Sequence, residues 1–532
     1  MRDISTSIKT IIAFVATVLA ISAVNAQDAQ RNFAPVANPL VYGENTMAPR
    51  TEFISYDTRE AAVARDLDAA NHFLPLSGKW RVRYVDSYTG VNDGFARPEF
   101  NVSRWDELDV PSSVDRYESF SSLSSQLVAP SLPTNIPVVQ YRAEIMIPIL
   151  WLDRDVYLHV GSVGSAFTLY VGGEKVGYAN DNKTPTEFNI SPYLDEGPNT
   201  ICIEVYGYST GNYLSGDDSQ PCSLGEVYVY SQPKIHIADY FVGTEPDSLW
   251  RNAVLNIDVI LKNTYSQDQT ISVGYDIYGP DGKLKMYNLR EITVEGNSTD
   301  TLDFDDNILH VMSQTPWSPN SPTLYEVMLY IRLDKRIIEY IPFQVGFAQK
   351  EFIDGQFYHN REATELKIVS CNADADAKTT EATLRKIKSY GMNAVCPDYP
   401  QPLFFYELCD KVGLFVIDQA NINSWYKIDD RNMGGAVVNN PDWLGAISSR
   451  VRAMYERTKN FTSVVGRSMG GVSGNGYNMY KSYLELKSVD SLSRIDVTYR
   501  DLQGEWNRDF ELPMIISKES LFANPAPTKS RR

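Results

Sequence analysis

The chain of 532 residues is too long for one hydrophobic core, and a prior of about 150 residues per domain gives three or four domains. Aromatic residues at 12%, with Gly and Pro interspersed, describe an ordered, β-rich globular protein and exclude general disorder. A formal net charge of -18 with no Lys/Arg cluster excludes a nucleic-acid partner, because phosphate binding needs clustered cations to displace counterions.

Arg2 and Lys9 precede an apolar run from Ile11 to Val24, and small residues at Val24, Asn25 and Ala26 stand before Gln27. This is the pattern of a secretory signal peptide over 1–26, and it implies export to the periplasm, the outer-membrane surface or the medium. The run is shorter than the roughly 20 apolar residues of a membrane anchor, so no transmembrane segment is expected once the signal is removed. A polar leader over 27–45 reads as a linker. From Thr46 to Gln232 apolar and polar residues alternate in short runs, such as Lys79–Tyr84, Val156–Val160 and Ala166–Val171, bounded by Gly, Asn, Asp and Pro. That period-2 pattern predicts half-buried antiparallel strands in a jelly roll, with Gly172-Gly173 as a hairpin turn.

The same signature continues over 233–347, in Ala253–Leu261, Ile271–Ile277 and Leu324–Ile331, and predicts an immunoglobulin-like β-sandwich of about seven strands. From about Glu351 the rhythm changes. Short apolar runs (Leu366–Val369, Asn393–Val395, Leu414–Ile417, Ser463–Val465) alternate with helices near Thr380–Tyr390, Leu403–Val412 and Pro441–Lys459. Repeated βα units predict a parallel sheet, and over 348–532 a shortened, incomplete TIM-type (β/α) barrel of about 185 residues where about 250 is typical. Five cysteines are too few and too irregular for a disulfide framework or a zinc site; at most Cys202 and Cys222 pair, and the others read as buried small hydrophobes.

Three groups of phrases carry a resemblance. The first runs from Arg50–Tyr56 through Leu76–Trp80, Ser103–Trp105, Val110–Ser112 and Thr184–Ile190; the second is Phe404–Asp410 with Gly413–Ile422; the third is Lys459–Val464 with Ser468–Gly470. In this order and spacing the chain resembles family 2 glycoside hydrolases of the β-galactosidase type over nearly its whole mature length. The resemblance implies a sugar-binding jelly roll, an immunoglobulin-like domain and a barrel that performs retaining hydrolysis. That chemistry needs one carboxylic acid to protonate the leaving oxygen and a second carboxylate about 5–5.5 Å away to attack the anomeric carbon.

The residues that match the family's phrases lack that pair. In the run Arg467–Gly474, Val472 stands where the resemblance places the acid/base Glu, and in Leu512–Ser520 Lys518 stands where it places the nucleophile. The phrase after the first barrel strand reads Ser370-Cys371-Asn372, and that after the second reads Cys396–Pro400 without its His. After the third, Gln419, Asn423 and Trp425 replace Glu, Glu and His. Asn423, Trp425 and Val472 fall on magnesium-ligand positions of the galactosidase branch and offer a hard cation no anionic oxygen, so neither metal nor cofactor is expected. Independently of any family, the segment 361–532 contains no His, the commonest general acid/base.

Candidate carbohydrate contacts remain. Asp218 keeps the position of the jelly-roll Asp that the resemblance brings to the sugar, and Tyr213, Tyr399 and Trp425 offer aromatic faces for a pyranose, or else pack at a rim. Asp398 is a further candidate for contact with the sugar, and Asp374, Asp376, Asp398 and Glu519 read as solvated loop carboxylates or as a relocated acid/base pair. The run Gly470–Gly476 matches neither a nucleophile elbow nor a phosphate loop and reads as a βα loop. The expected function is a non-catalytic glycan-binding or scaffold protein of the cell envelope, with a glycan or an envelope protein as partner. The alternatives are an active β-galactosidase-type hydrolase with relocated carboxylates, and a structural envelope protein that binds no sugar.

Overall fold

A computed structural model describes residues 34–111, 136–216, 222–489, 495–500 and 507–523. The signal-peptide pattern and Asp218 lie outside the described residues. Among the described residues no helix is long and apolar enough to cross a membrane.

The first layer pair is a jelly roll. A seven-stranded sheet (Gly43–Glu44, Gly78–Val85, Asp106–Val110, Val138–Ile147, Phe167–Val171, Glu174–Ala179, Gly197–Tyr206) packs on a four-stranded one (Phe73–Pro75, Asp155–Val160, Thr186–Asn189, Val227–Gln232). Gly172 and Gly173 turn the hairpin with φ of 59° and 93°, a region open to glycine because it has no Cβ. Between the sheets lie Trp80, Tyr141, Leu158, Phe167, Phe188 and Val229, all buried. Cys222 joins this core while Cys202 packs with Phe95, Ala96 and Trp105, so the two thiols do not pair. All five cysteines are free and buried.

A three-stranded and a four-stranded antiparallel sheet form the second domain. Its strand Ala253–Asn263 alternates without a break: Ala253, Leu255, Ile257, Val259 and Leu261 are buried and face the partner sheet. Each such large side chain contributes about 1.5–3 kcal/mol when it leaves water, which holds the register.

The third domain is a parallel sheet with helices. Its strands are β1 (Ile368–Ser370), β2 (Ala394–Cys396), β3 (Phe415–Gln419), β4 (Val464–Ser468), β5 (Val497–Thr498) and β6 (Ile516–Ser517), in the order β5-β4-β3-β2-β1-β6. Helices α1 (Ala377–Ser389), α2 (Leu403–Val412), α3 (Leu444–Thr458), α4 (Tyr477–Val489) and α5 (Lys518–Ala523) complete it. One sheet face buries Val369, Val395 and Val416 against Leu384, Ile387, Phe405 and Cys409 of α1 and α2. The inner face buries Ile368, Ala394, Cys396, Phe415 and Ile417 against Trp317, Phe357, Phe510 and Leu512. Among the described residues β5 and β6 share no ladder; residues 507–512 run beside β5, with Asp509 N–H donating to Val497 O at 2.8 Å.

Buried polar staples join the domains. Arg450 on α3 donates to Asn421 O (2.7 Å), Asn180 O (3.0 Å) and Gly211 O (3.1 Å), so one guanidinium holds two jelly-roll loops to a barrel loop. Lys459 Nζ reaches Asp239 of the sandwich at 2.6 Å and Glu456 at 2.7 Å.

Candidate functional site

The six strand ends bring the expected mouth residues to one end of the sheet, where ligands bind parallel α/β sheets. Asp398 follows β2 and occupies the centre of a polar network. Its carboxylate accepts from Ser370 Oγ at 3.1 Å and Asn372 Nδ2 at 2.9 Å, and is ion-paired with Arg500, which follows β5. Arg500 also donates to Ser370 Oγ at 2.7 Å, so the guanidinium crosses from β5 to the ends of β1 and β2. Gln419 Nε2 donates to Asp398 O at 2.6 Å, and Gln401 Nε2 to Tyr399 O at 2.6 Å.

Val472 lies beyond β4. Its backbone N–H donates to Asn423 Oδ1 at 2.9 Å, and Asn423 N–H in turn donates to Leu214 O of the jelly roll at 2.5 Å. Gly216 makes that docking possible: its φ is 59°, and a Cβ there would sit 1.9 Å from Asn423 O. The jelly-roll segment Gly211–Ser215 is therefore part of the mouth. It carries Tyr213, whose ring packs on Tyr426 (6.3 Å) and Trp443 (6.1 Å). Tyr399 is half-buried with Lys183 Nζ 4.7 Å from its ring centre, while Trp425 is 65% exposed.

The remaining carboxylates divide. Asp374 accepts from Thr383 Oγ1 at 2.6 Å and pairs with Lys518 Nζ at 3.3 Å. Asp376 is exposed and caps α1, accepting from Thr379 N–H at 2.8 Å, and this bond holds its carboxyl below the usual range. Glu519 is exposed on α5. Asp418 points into the sheet–helix layer, where Tyr406 Oη and Thr458 Oγ1 each donate to it at 2.8 Å; burial pushes this carboxyl up. The magnesium positions implied by the resemblance do not fit a cation: Asn423 Oδ1 is taken by Val472 N–H, and Val472 and Trp425 supply no oxygen. Among the described residues no three His, Cys, Asp or Glu side chains cluster as a metal set.

The sequence alone did not reveal Arg500 or the amides that lock the loops. A cation two residues past the short apolar β5 was the available signal for Arg500. Its partners, Ser370 and Asp398, lie more than a hundred positions upstream.

Three family models match this chain. "Glycosyl hydrolases family 2, sugar binding domain" covers residues 73–261, "Glycosyl hydrolases family 2" covers 235–347, and "Glycosyl hydrolases family 2, TIM barrel domain" covers 372–523. The chain belongs to glycoside hydrolase family 2. Within that family it is similar to a β-galactosidase of Priestia megaterium, 29% identical over 481 residues, which cover 85% of this chain and 46% of the relative. A β-galactosidase of Streptococcus thermophilus is also 29% identical, over 85% of this chain and 45% of its own. The chain thus spans about half the length of the curated relatives it matches. A β-glucuronidase structure from Bacteroides uniformis superposes with a TM-score of 0.65 at 19% identity, over 80% of this chain and 52% of that one. A family 2 structure from Bacteroides cellulosilyticus gives 0.64 at 16%, over 80% and 57%.

Proposed function

We propose that this family 2 chain recognises a glycan at the barrel mouth and does not cut it. What supports the reading is Val472, which the resemblance sets at the proton donor's position and which lies in the loop after β4 with its backbone N–H on Asn423 Oδ1 at 2.9 Å. Retaining hydrolysis needs two carboxyl groups about 5–5.5 Å apart with one able to donate a proton. Among the described mouth residues, Asp398 is tied to Arg500, Ser370 and Asn372, and Asp374 to Lys518 and Thr383. Each is held by a cation of the protein's own, Asp398 by Arg500 and Asp374 by Lys518. Trp425 offers a ring face that suits the C–H face of a pyranose. Export to the cell envelope is part of the proposal and rests on the signal-peptide pattern.

The relatives favour a second reading. Proteins 29% identical are β-galactosidases, so hydrolysis of a β-galactoside by relocated carboxylates is its specific form, with Asp398 and Glu519 as the acids. One experiment decides between them: the purified chain at high concentration against a panel of chromogenic galactosides, glucosides and glucuronides. The binding reading expects no turnover above buffer, together with saturable glycan binding. Turnover that disappears in Asp398→Asn or Glu519→Gln establishes the hydrolase instead.

A further inference from the structure

Away from the mouth, a crevice of about 370 Å³ lies between the N-terminal segment 42–52, the strand Thr186–Asn189 and helix α3. That volume falls within the roughly 300–1,000 Å³ of small-molecule sites, which favour domain interfaces. The loop 180–185 separates it from the mouth: Lys183 lies over Tyr399 on one side, and Thr184 lines the crevice on the other.

The lining has a definite chemistry. Arg50 pairs with Glu187 at 3.1 Å and Arg457 with Glu52 at 3.1 Å, and all four line the space. Burial pushes the Glu187 carboxyl up, but Arg50, His159 and Tyr230 together outweigh it and leave the group at about 2, so it is ionised throughout the neutral range. With Asp181, three carboxylates face two guanidinium groups and the His159 ring, which lies 3.3 Å from Glu187, so cations hold no excess over carboxylates and an anion is disfavoured. Paired carboxylates and guanidinium groups still carry spare acceptor and donor sites for hydroxyls.

Thr184 adds a second observation. It is 3% exposed, and its hydroxyl has no hydrogen-bond partner within the protein. An unmet buried hydroxyl costs about 1–3 kcal/mol; its oxygen is shielded from solvent, so a ligand hydroxyl relieves that cost by displacing the wall over it. Pro49, Pro185 and Ala453 supply an apolar wall beside these polar groups. We infer that this crevice binds a neutral saccharide unit, as a second carbohydrate site independent of the mouth. A charge-neutral ring with vicinal hydroxyls and one apolar C–H face matches each part of the lining.

The test uses the full chain with methyl β-galactopyranoside, and methyl β-glucuronide as the charged counterpart, followed by saturation-transfer NMR and titration calorimetry. Thr184→Val keeps the shape and removes the hydroxyl, and is expected to weaken the neutral glycoside about five-fold or more. Ala453→Phe fills the space from a partly exposed helix position and is expected to abolish this component, while Trp425→Ala at the mouth leaves it intact. Absence of saturable binding by the neutral glycoside overturns the inference, and so does equal affinity for the glucuronide. Wild-type affinity in both crevice variants also overturns it; if Trp425→Ala then removes all binding, the mouth reading stands alone. Loss in the crevice variants with no effect of Trp425→Ala supports the crevice and moves the glycan away from the mouth.

Discussion

Trp425 is held by little and touches solvent over 65% of its surface, so removing its ring costs the fold almost nothing. Trp425→Ala is expected to lower glycan affinity at the mouth ten-fold or more with Tm unchanged, as binding and melting curves on one preparation will show. Asp496 presents the opposite case, a side chain whose protonation matters to the fold. Burial first, and then neighbouring Asp509, push its carboxyl up to about 7 against the pull of Lys487. An unfolded Asp titrates near 4, so between about pH 4 and pH 7 the folded chain keeps a proton that the unfolded chain has released. Stability is therefore undiminished below pH 4 and falls as pH rises through that window. Asp496→Asn removes the loss: calorimetry should find it more stable at pH 8, by on the order of 2 kcal/mol, with the gain fading toward pH 4.

Among the elements, α3 carries the decisive staple. Arg450→Met strips three backbone carbonyls of a charged donor and is expected to cost about 3 kcal/mol, with new protease sensitivity in the loops at 180–185 and 211–216. A second lesion at the same junction is Gly216→Ala. Its Cβ meets Asn423 O at 1.9 Å in a left-handed backbone, so the jelly-roll segment must lift from the barrel, and both Tm and glycan binding at the mouth should fall. Elements such as α2 were legible because apolar spacing and Gly413, with φ of 78°, mark a helix and its end. The N-cap role of Asp376 was equally open to reading, since an Asp before a helical run is a capping signal. The hairpin Lys350–Ile353 with Gln356–His359 was not: its Phe352 gains meaning only from stacking on Phe510 at 3.8 Å. Arg450 looks like any exposed helix cation until its distant loop carbonyls are in place.

At the scale of the whole molecule, the three domains share buried polar ties rather than loose linkers: Arg450 and the pairs Arg457–Glu52 and Lys459–Asp239 all cross between them. Thermal unfolding is therefore expected as one calorimetric transition. Lys459→Met should split it, because Asp239 and Glu456 are left buried without their cation. The mouth is likewise a shared construction of barrel strand-ends and a jelly-roll segment, and family 2 models match all three domains.

The exposed indole at position 425 also makes the molecule its own optical probe. Trp80, Trp105, Trp151, Trp317 and Trp443 are shielded by the surrounding protein and Trp250 is partly buried, so iodide in solution will collide first with Trp425 among the described tryptophans. A sugar seated against that ring will block the collisions, and occupancy of the mouth can be followed without a label as recovered emission.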